Sequence, residues 1–408
     1  MERLLDGFKN CVIGFEGTKI KVFLFEQRYE IGSLYYTEDD KYYYVLRLYS
    51  IQTSYPKSTI DLEGMVKGTQ NNEPLALIST FSFACLMDLL DVLDKKTLKK
   101  VNRVILPKIG RIVKKISEHK ELSELYKTNF EFKKENSNLF KVHCMVVGAS
   151  GSGKSTFVKK LIEEDVLENY IIFDFHGEYP NSVEPSLREA DVTPEIVSEF
   201  IDASLPQYEL LNVCYKYFGH RWLSEAKNIP KLGLLKRMFQ ESTITVVRRH
   251  LMEISRLAFI NQFDSVLDDI DKNLVINLKN YPLHAIELFI LTVLHNIFSK
   301  KIPKTIVIEE AHNLRLKNTI IEKIFREGRK FSINGILVTQ TPSILPSSIT
   351  SNIGTMVCFR IQDKREFEFV LQTAPNLFIS PLEIKSLDKL YGILISSGLK
   401  YPLRIDLQ

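Results

Sequence analysis

Two kinds of hydrophobic pattern divide the chain. Between residues 11 and 52, apolar runs rich in β-branched and aromatic residues ("CVIGF", "KIKVFLFE", "KYYYVLRLYSIQ") alternate with turn residues such as Gly17 and the string "TEDDK". That alternation predicts a small antiparallel sheet or barrel. A polar loop is expected at "KGTQNNEP", and "LALISTFSFACLMDLLDVL" after it reads as a buried strand–helix passage, since Asp88 and Asp91 interrupt the apolar run. Residues 95–120, "KKTLKKVNRVILPKIGRIVKKISEHK", carry apolar positions at helical spacing, which predicts one or two helices broken near Pro107 and Gly110.

Further along, apolar strands ("HCMVV", "NYIIFDF", "KNLVINL", "KTIVIEEA", "NGILVTQ", "TMVCFRIQ") are separated by helical patterns, among them "LHAIELFILTVLHNIFSK" and a helix over 318–331. Apolar strands that alternate with helices indicate a mainly parallel sheet covered on both faces. The expected organisation is a β-rich domain over 1–94, a basic helical linker over 95–138, and an α/β domain over 139–408 with a helical insertion at about 185–270.

The bulk numbers narrow the class. The 408 residues, 45% apolar and 25% charged, suit a globular protein of two or three domains. No apolar run reaches the roughly 18 residues of a membrane span, and no signal-peptide pattern follows the first seven residues. Cys11, Cys85, Cys144, Cys214 and Cys358 are scattered with no C-x-x-C pair, so neither a disulfide framework nor a zinc site is expected, and a reducing cytoplasm fits. A net charge of +4 does not by itself identify a polyanionic partner.

The strongest chemical signal is "GASGSGKST", with Gly148, Ala149, Ser150, Gly151, Ser152, Gly153, Lys154, Ser155 and Thr156 between an apolar strand and the helical "FVKKLI". This is the G-x-x-x-x-G-K-[ST] phosphate loop in its required strand–loop–helix context. Its glycines let backbone N–H groups converge on a phosphate at a helix N-terminus. Lys154 is expected on the β- and γ-phosphates of ATP and Ser155 on Mg2+.

A second acidic site must accompany such a loop. "TIVIEEAHN" ends a strand on Glu309, placed to assist the metal ion, and Glu310, placed to orient or deprotonate the attacking water. An acidic cap on the next helix is the plainer alternative. In "NGILVTQTP", Gln340 ends another strand, where an amide that both donates and accepts suits a γ-phosphate or water sensor; a simple turn is the alternative. In "IEKIFREGRKFS", Arg326 and Arg329 fall on neighbouring helical positions. Either Arg326 pairs with Glu322 on the surface, or one arginine, Arg329 first, reaches a neighbouring subunit's nucleotide as a finger. Asp174, His176 and Glu178 crowd the end of "IIFDF", beside the phosphate-loop strand, where ligands gather in doubly wound sheets.

Taken in order, "GASGSGKS", "DFHGEY", "VIEEAHN", "REGRKF" and "VTQTP" resemble the HerA branch of the HerA/FtsK superfamily of hexameric DNA-translocating ATPases. The resemblance runs from about residue 140 to the end. It implies a RecA-like P-loop core preceded by a HAS-barrel, with Asp174, His176 and Glu178 facing the nucleotide and its magnesium shell or the subunit boundary. It further implies a ring, most simply a hexamer, that moves along or unwinds double-stranded DNA with a NurA-type nuclease as partner. Glu309 stands where the family usually has Asp, and Thr341 where it often has Arg.

DNA contact would use backbone phosphates, with Lys236, Arg237, Arg248 and Arg249 or the basic 95–120 segment as candidates; a solvated helix face is the alternative for each. Three rivals remain: a DNA-pumping ATPase of a conjugation or virus-packaging system, an ABC-type transporter ATPase, and an ATP-binding scaffold with little turnover. No LSGGQ-like signature supports the ABC reading.

Overall fold

The computed structural model describes residues 10–17, 19–24, 31–52, 83–101, 105–126, 129–231, 233, 235–317, 319–374, 384–385 and 387–408. Its amino-terminal strands are β1 (Cys11–Glu16), β2 (Lys19–Leu24), β3 (Leu34–Glu38), β4 (Tyr42–Gln52), β5 (Phe83–Asp94) and β6 (Val113–Lys115). They form one antiparallel sheet in the order β1-β2-β5-β4-β3-β6. The ends of that order meet. Val12 N donates to Arg111 O at 2.9 Å, Gly110 N to Val12 O at 2.7 Å and Val113 N to Asn10 O at 2.8 Å, so the chain entering β6 closes onto β1 and makes a small barrel. Inward residues of alternate positions, such as Val12, Ile20, Val22, Leu46, Leu48 and Met87, fill it.

Two sequence expectations change here. The expected strand–helix passage is a strand throughout its described part: β5 runs unbroken over twelve residues between β2 and β4. Its acidic residues do not mark a helix, because Asp88 pairs with Lys19 of β2 and buried Asp91 pairs with Lys100 and Lys400. The loop "KGTQNNEP" and residues 75–82 lie outside the described residues.

In its described part the basic 95–120 segment forms no α-helix before Lys120, only a short 3-10 turn at Ile116–Glu118. Asp94 accepts from the N–H groups of Lys96 and Thr97 to turn the chain, β6 joins the barrel, and the helix Lys120–Leu125 starts only afterwards. Ladder bonds to β1 and β3 outweigh the local helical period, as tertiary context commonly does. The barrel therefore takes in part of the segment expected to be a linker.

The second sheet holds β7 (Cys144–Val147), β8 (Tyr170–Asp174), β11 (Leu274–Asn277), β12 (Lys304–Ile308), β13 (Ile333–Thr339), β14 (Thr355–Phe359), β15 (Tyr391–Ser396) and β16 (Leu403–Asp406), in the order β11-β8-β12-β13-β7-β14-β15-β16. The first six are mutually parallel and the last two antiparallel. Alternate strand residues feed two cores. Met145, Val147, Ile171, Phe173, Ile306 and Ile308 meet the helix Leu283–Lys300 and the helices of the insertion, while Val146, Ile172, Val307 and Val338 meet Phe157, Val158 and Leu161 of the helix Lys154–Glu163.

The insertion is mostly helical, with Pro194–Ile201, Leu205–Phe218 and Glu241–Ile254 as its main helices, and a two-strand pair, β9 (Leu187–Arg188) with β10 (Ile260–Asn261), ties its ends together. Trp222 is fully buried there and donates to Val192 O at 3.0 Å.

Barrel and second sheet share contacts. Tyr126 donates to Asp91 Oδ2 at 2.7 Å and stacks on Tyr401, and Arg404 of β16 donates to Ile31 O.

Candidate active site

Strand register decides which residues can meet. Ile308 stands opposite Phe173 on one side and Leu337 on the other, and Thr339 stands opposite Val147. Glu309 and Glu310, Asp174, Gln340 and Gly148 therefore leave adjacent strands at one edge of the sheet. In a parallel sheet that carboxyl edge is where ligands bind.

The phosphate loop opens on Gly148, where an added Cβ would lie 2.7 Å from Ser152 Oγ and 2.8 Å from Phe359 Cβ, so no other residue fits without displacement. Gly151 and Gly153 have φ of +67° and +121°, in the half of the map that glycine tolerates. Lys154 is buried, and its ammonium donates to Gly148 O at 2.9 Å and Ala149 O at 3.0 Å, lying back along the loop. Burial lowers its pKa, against an opposing pull from Glu310, Glu309 and Glu178.

The two adjacent glutamates face different neighbours. Glu309 is buried, accepts from the Tyr179 hydroxyl at 2.8 Å through Oε1, and leaves Oε2 buried without a hydrogen bond. Burial raises its pKa to about 7, with Tyr179 and Ser155 lowering it and Asp174 and Glu178 raising it further. Glu310 takes a left-handed backbone, φ +46°, that turns the chain directly after the strand. Its carboxylate lies 3.4 Å from His176 Nε2 and 3.3 Å from His312 Nε2, and Gln340 Nε2 donates to both of its oxygens at 3.3 and 3.4 Å.

A buried, unbonded carboxylate oxygen beside the Ser155 hydroxyl suits a divalent cation, which prefers hard oxygen donors. Among the described residues no group of three or more His, Cys, Asp or Glu could hold a metal ion.

The "DFHGEY" residues divide their work. Asp174 is fully buried and its carboxylate is engaged by the backbone: Oδ1 accepts from His176 N at 3.1 Å and Gly177 N at 2.8 Å, and Oδ2 from Tyr179 N at 3.0 Å. The aspartate shapes the turn that delivers His176 to Glu310 and Tyr179 to Glu309. Glu178 lies 3.5 Å from Lys159 on the helix following the phosphate loop.

Two residues went unassigned from the sequence, Tyr179 and His312. Both lie within the family strings, but their bonds cross between strands, so no spacing along the chain announces them.

Arg326 and Arg329 are exposed, on the helix Ile320–Glu327 and the turn after it, which lead into the start of β13. The charge of Arg329 is felt by His143, the residue before β7. Both arginines therefore lie at the amino edge of the strands, away from their own chain's phosphate loop. In the insertion, Lys236 and Arg237 are exposed, Arg249 is exposed with its Nε 4.0 Å from Glu253, and Arg248 is half-buried with Nε unbonded.

A parallel sheet with a phosphate loop after one strand and paired carboxylates after another defines a P-loop NTPase core. Residues 121–331 match the family described as "Helicase HerA, central domain", and the chain belongs to that family. It is 26% identical over 323 residues to the DNA double-strand break repair helicase HerA of Sulfurisphaera tokodaii, covering 65% of this chain and 64% of that protein. It is 24% identical over 341 residues to the probable helicase MJECL08 of Methanocaldococcus jannaschii, covering 65% and 66%. The match thus spans just under two thirds of those relatives' lengths.

Among solved structures, the bacterial conjugative coupling protein TrwB superposes with a TM-score of 0.52 at 14% identity, over 72% of this chain and 92% of that one. TrwB in complex with ADP and Mg2+ does so with a TM-score of 0.52 at 11% identity, over the same shares. The shared fold is the RecA-like P-loop core that the family resemblance implied. Among the described residues no helix is long and apolar enough to cross a membrane.

Proposed function

We propose that the chain hydrolyses ATP with Mg2+ and uses the cycle to translocate along, or unwind, double-stranded DNA as a ring, most simply a hexamer. The convergence of Lys154, Ser155, Glu309 and Glu310 at one sheet edge, with Gln340 bonded to Glu310, carries this reading. Lys154 would exchange its bonds to the loop carbonyls for phosphate oxygens. Ser155 and Glu309 would hold the magnesium ion, which supplies charge neutralisation at the phosphates when bound. Glu310 would accept the proton of the attacking water.

The name of the relative HerA supports a role in DNA double-strand break repair. A NurA-type nuclease partner and a cytoplasmic location belong to this reading through the family resemblance of the sequence strings and the scattered cysteines. In this reading the barrel and the motor core are separate domains joined by residues 116–138. Arg329, remote from its own phosphate loop, would serve the neighbouring subunit's nucleotide, with Arg326 as second candidate. Lys236 and Arg237, exposed on the insertion, are better placed for DNA phosphates than Arg248, whose Nε is buried.

The test is ATP hydrolysis with and without linear duplex DNA, in the wild type and Glu310→Gln. DNA-stimulated turnover that Glu310→Gln abolishes supports the motor. Turnover indifferent to DNA overturns the DNA-driven part, and the fold likeness to TrwB then makes a pump activated by a protein partner the reading to pursue.

A further inference from the structure

We propose that His312 is a positioning residue that aims the Glu310 carboxylate, and that Thr339 fixes the tautomer in which it does so. The inference rests on the hydrolytic reading above and adds to it two residues from two different strand ends.

The hydrogen-bond direction can be followed atom by atom. Thr339 ends β13 fully buried, and its Oγ1 accepts from Thr341 N at 3.2 Å. In the tautomer proposed here, the Thr339 hydroxyl donates to its other neighbour, His312 Nδ1, 3.3 Å away. With Nδ1 accepting, the ring proton sits on Nε2, the nitrogen that lies 3.3 Å from Glu310 Oε2 in a close polar contact without the alignment of a hydrogen bond. The chain of contacts runs from Thr341 N–H to Thr339 Oγ1, on to His312 Nδ1, and by the Nε2 contact to Glu310. It joins the strand end that carries Gln340 to the carboxylate that Gln340 also touches.

Three side chains approach Glu310, and they are not equivalent. The His176 side chain is 54% exposed and reaches from a turn, whereas that of His312 is 19% exposed and backed by a buried hydroxyl. His176 Nε2 hydrogen-bonds Glu310 Oε1 at 3.4 Å, whereas the His312 ring is held from its other side by Thr339. Glu310 needs such holding, because it stands in the left-handed region, which a non-glycine residue keeps only where its surroundings hold it.

Loss of a residue that orients a catalytic group typically costs about 10–100-fold in activity. The experiment compares wild type, His312→Phe, His312→Gln and Thr339→Val in DNA-stimulated ATP turnover, in affinity for a non-hydrolysable ATP analogue, and in melting temperature. For His312→Phe the expected result is a kcat lower by about 10–100-fold, with KM and analogue affinity within about twofold of wild type. His312→Gln, which keeps an N–H donor at that reach, should recover most of the loss, and Thr339→Val should fall between.

Wild-type kcat in His312→Phe would overturn the proposal. So would joint loss of kcat, affinity and melting temperature that His312→Gln does not relieve, since that is a packing defect. A wild type that binds the analogue but turns over no ATP overturns the hydrolytic reading itself, and the proposal falls with it.

Discussion

The Tyr179 hydroxyl donates to Glu309 Oε1 at 2.8 Å, tying the turn after β8 to the carboxylate that follows β12. Both groups are buried, so the bond acts where solvent cannot replace it. Tyr179→Phe keeps the ring and removes the donor. A hydrogen bond to a charged group contributes about 1.5–3 kcal/mol, and Glu309 would lose one of the two contacts that favour its ionised form. Expected are a turnover lower by about 10-fold or more and a higher magnesium requirement, both read from a magnesium titration of ATPase activity.

Asp174 shapes the loop that carries His176 and Tyr179. Asp174→Ala leaves the buried N–H of Tyr179 without its acceptor, at a cost of about 1–3 kcal/mol, while water can replace the carboxylate at the N–H groups of the exposed His176 and Gly177. Asp174→Asn keeps one acceptor oxygen and should lose about half as much. Urea denaturation of the two variants checks the ranking. If the alanine variant unfolds like wild type, the assigned role is wrong.

His143 gives the fold an acid sensitivity with a definite sign. Burial, and next the charge of Arg329, lowers its pKa from 6.5 to about 4, while Nδ1 accepts from Gly335 N at 3.0 Å. The unfolded chain takes up the proton near pH 6.5 and the folded chain only near pH 4. This group's stabilising contribution is therefore complete above pH 6.5 and is lost as pH falls through that window, by about 3 kcal/mol in all. Against His143→Asn, which keeps an acceptor for Gly335, the wild type should lose about 3 kcal/mol more between about pH 8 and about pH 4. Urea titrations at the two values measure the difference, and parallel losses would refute it.

Asp91 fastens the barrel to the second sheet. It is buried on β5 and meets Lys400, Lys100 and Tyr126. Asp91→Ala should cost about 1–3 kcal/mol, less than a fully buried pair because both lysines are partly in water. The loosened barrel should then be cut faster in limited proteolysis while the nucleotide affinity of the core stays unchanged.

How much of this was legible along the chain differs by element. The parallel strands declared themselves because a sheet covered on both faces needs continuous apolar runs, and the helix Leu283–Lys300 coincides with the apolar pattern read for it. Gly148, Lys154 and Ser155 were legible because a phosphate loop is a local object, built from consecutive residues. β5 and β6 were misread: their periodicity was ambiguous, and partners distant in sequence decided it, with Lys19 neutralising Asp88 and β3 pairing β6.

By itself, then, the sequence determined the phosphate loop, the alternation of strands and helices in the second sheet, the family strings and the presence of paired carboxylates after one strand. Only the tertiary structure decided that Asp174 serves backbone N–H groups, that Tyr179 bonds Glu309, and that His312 and Gln340 converge on Glu310. The physical reason is register. A site at the carboxyl edge of a parallel sheet is assembled across strands from residues far apart in the chain, and only the lateral pairing of the strands specifies which of them touch.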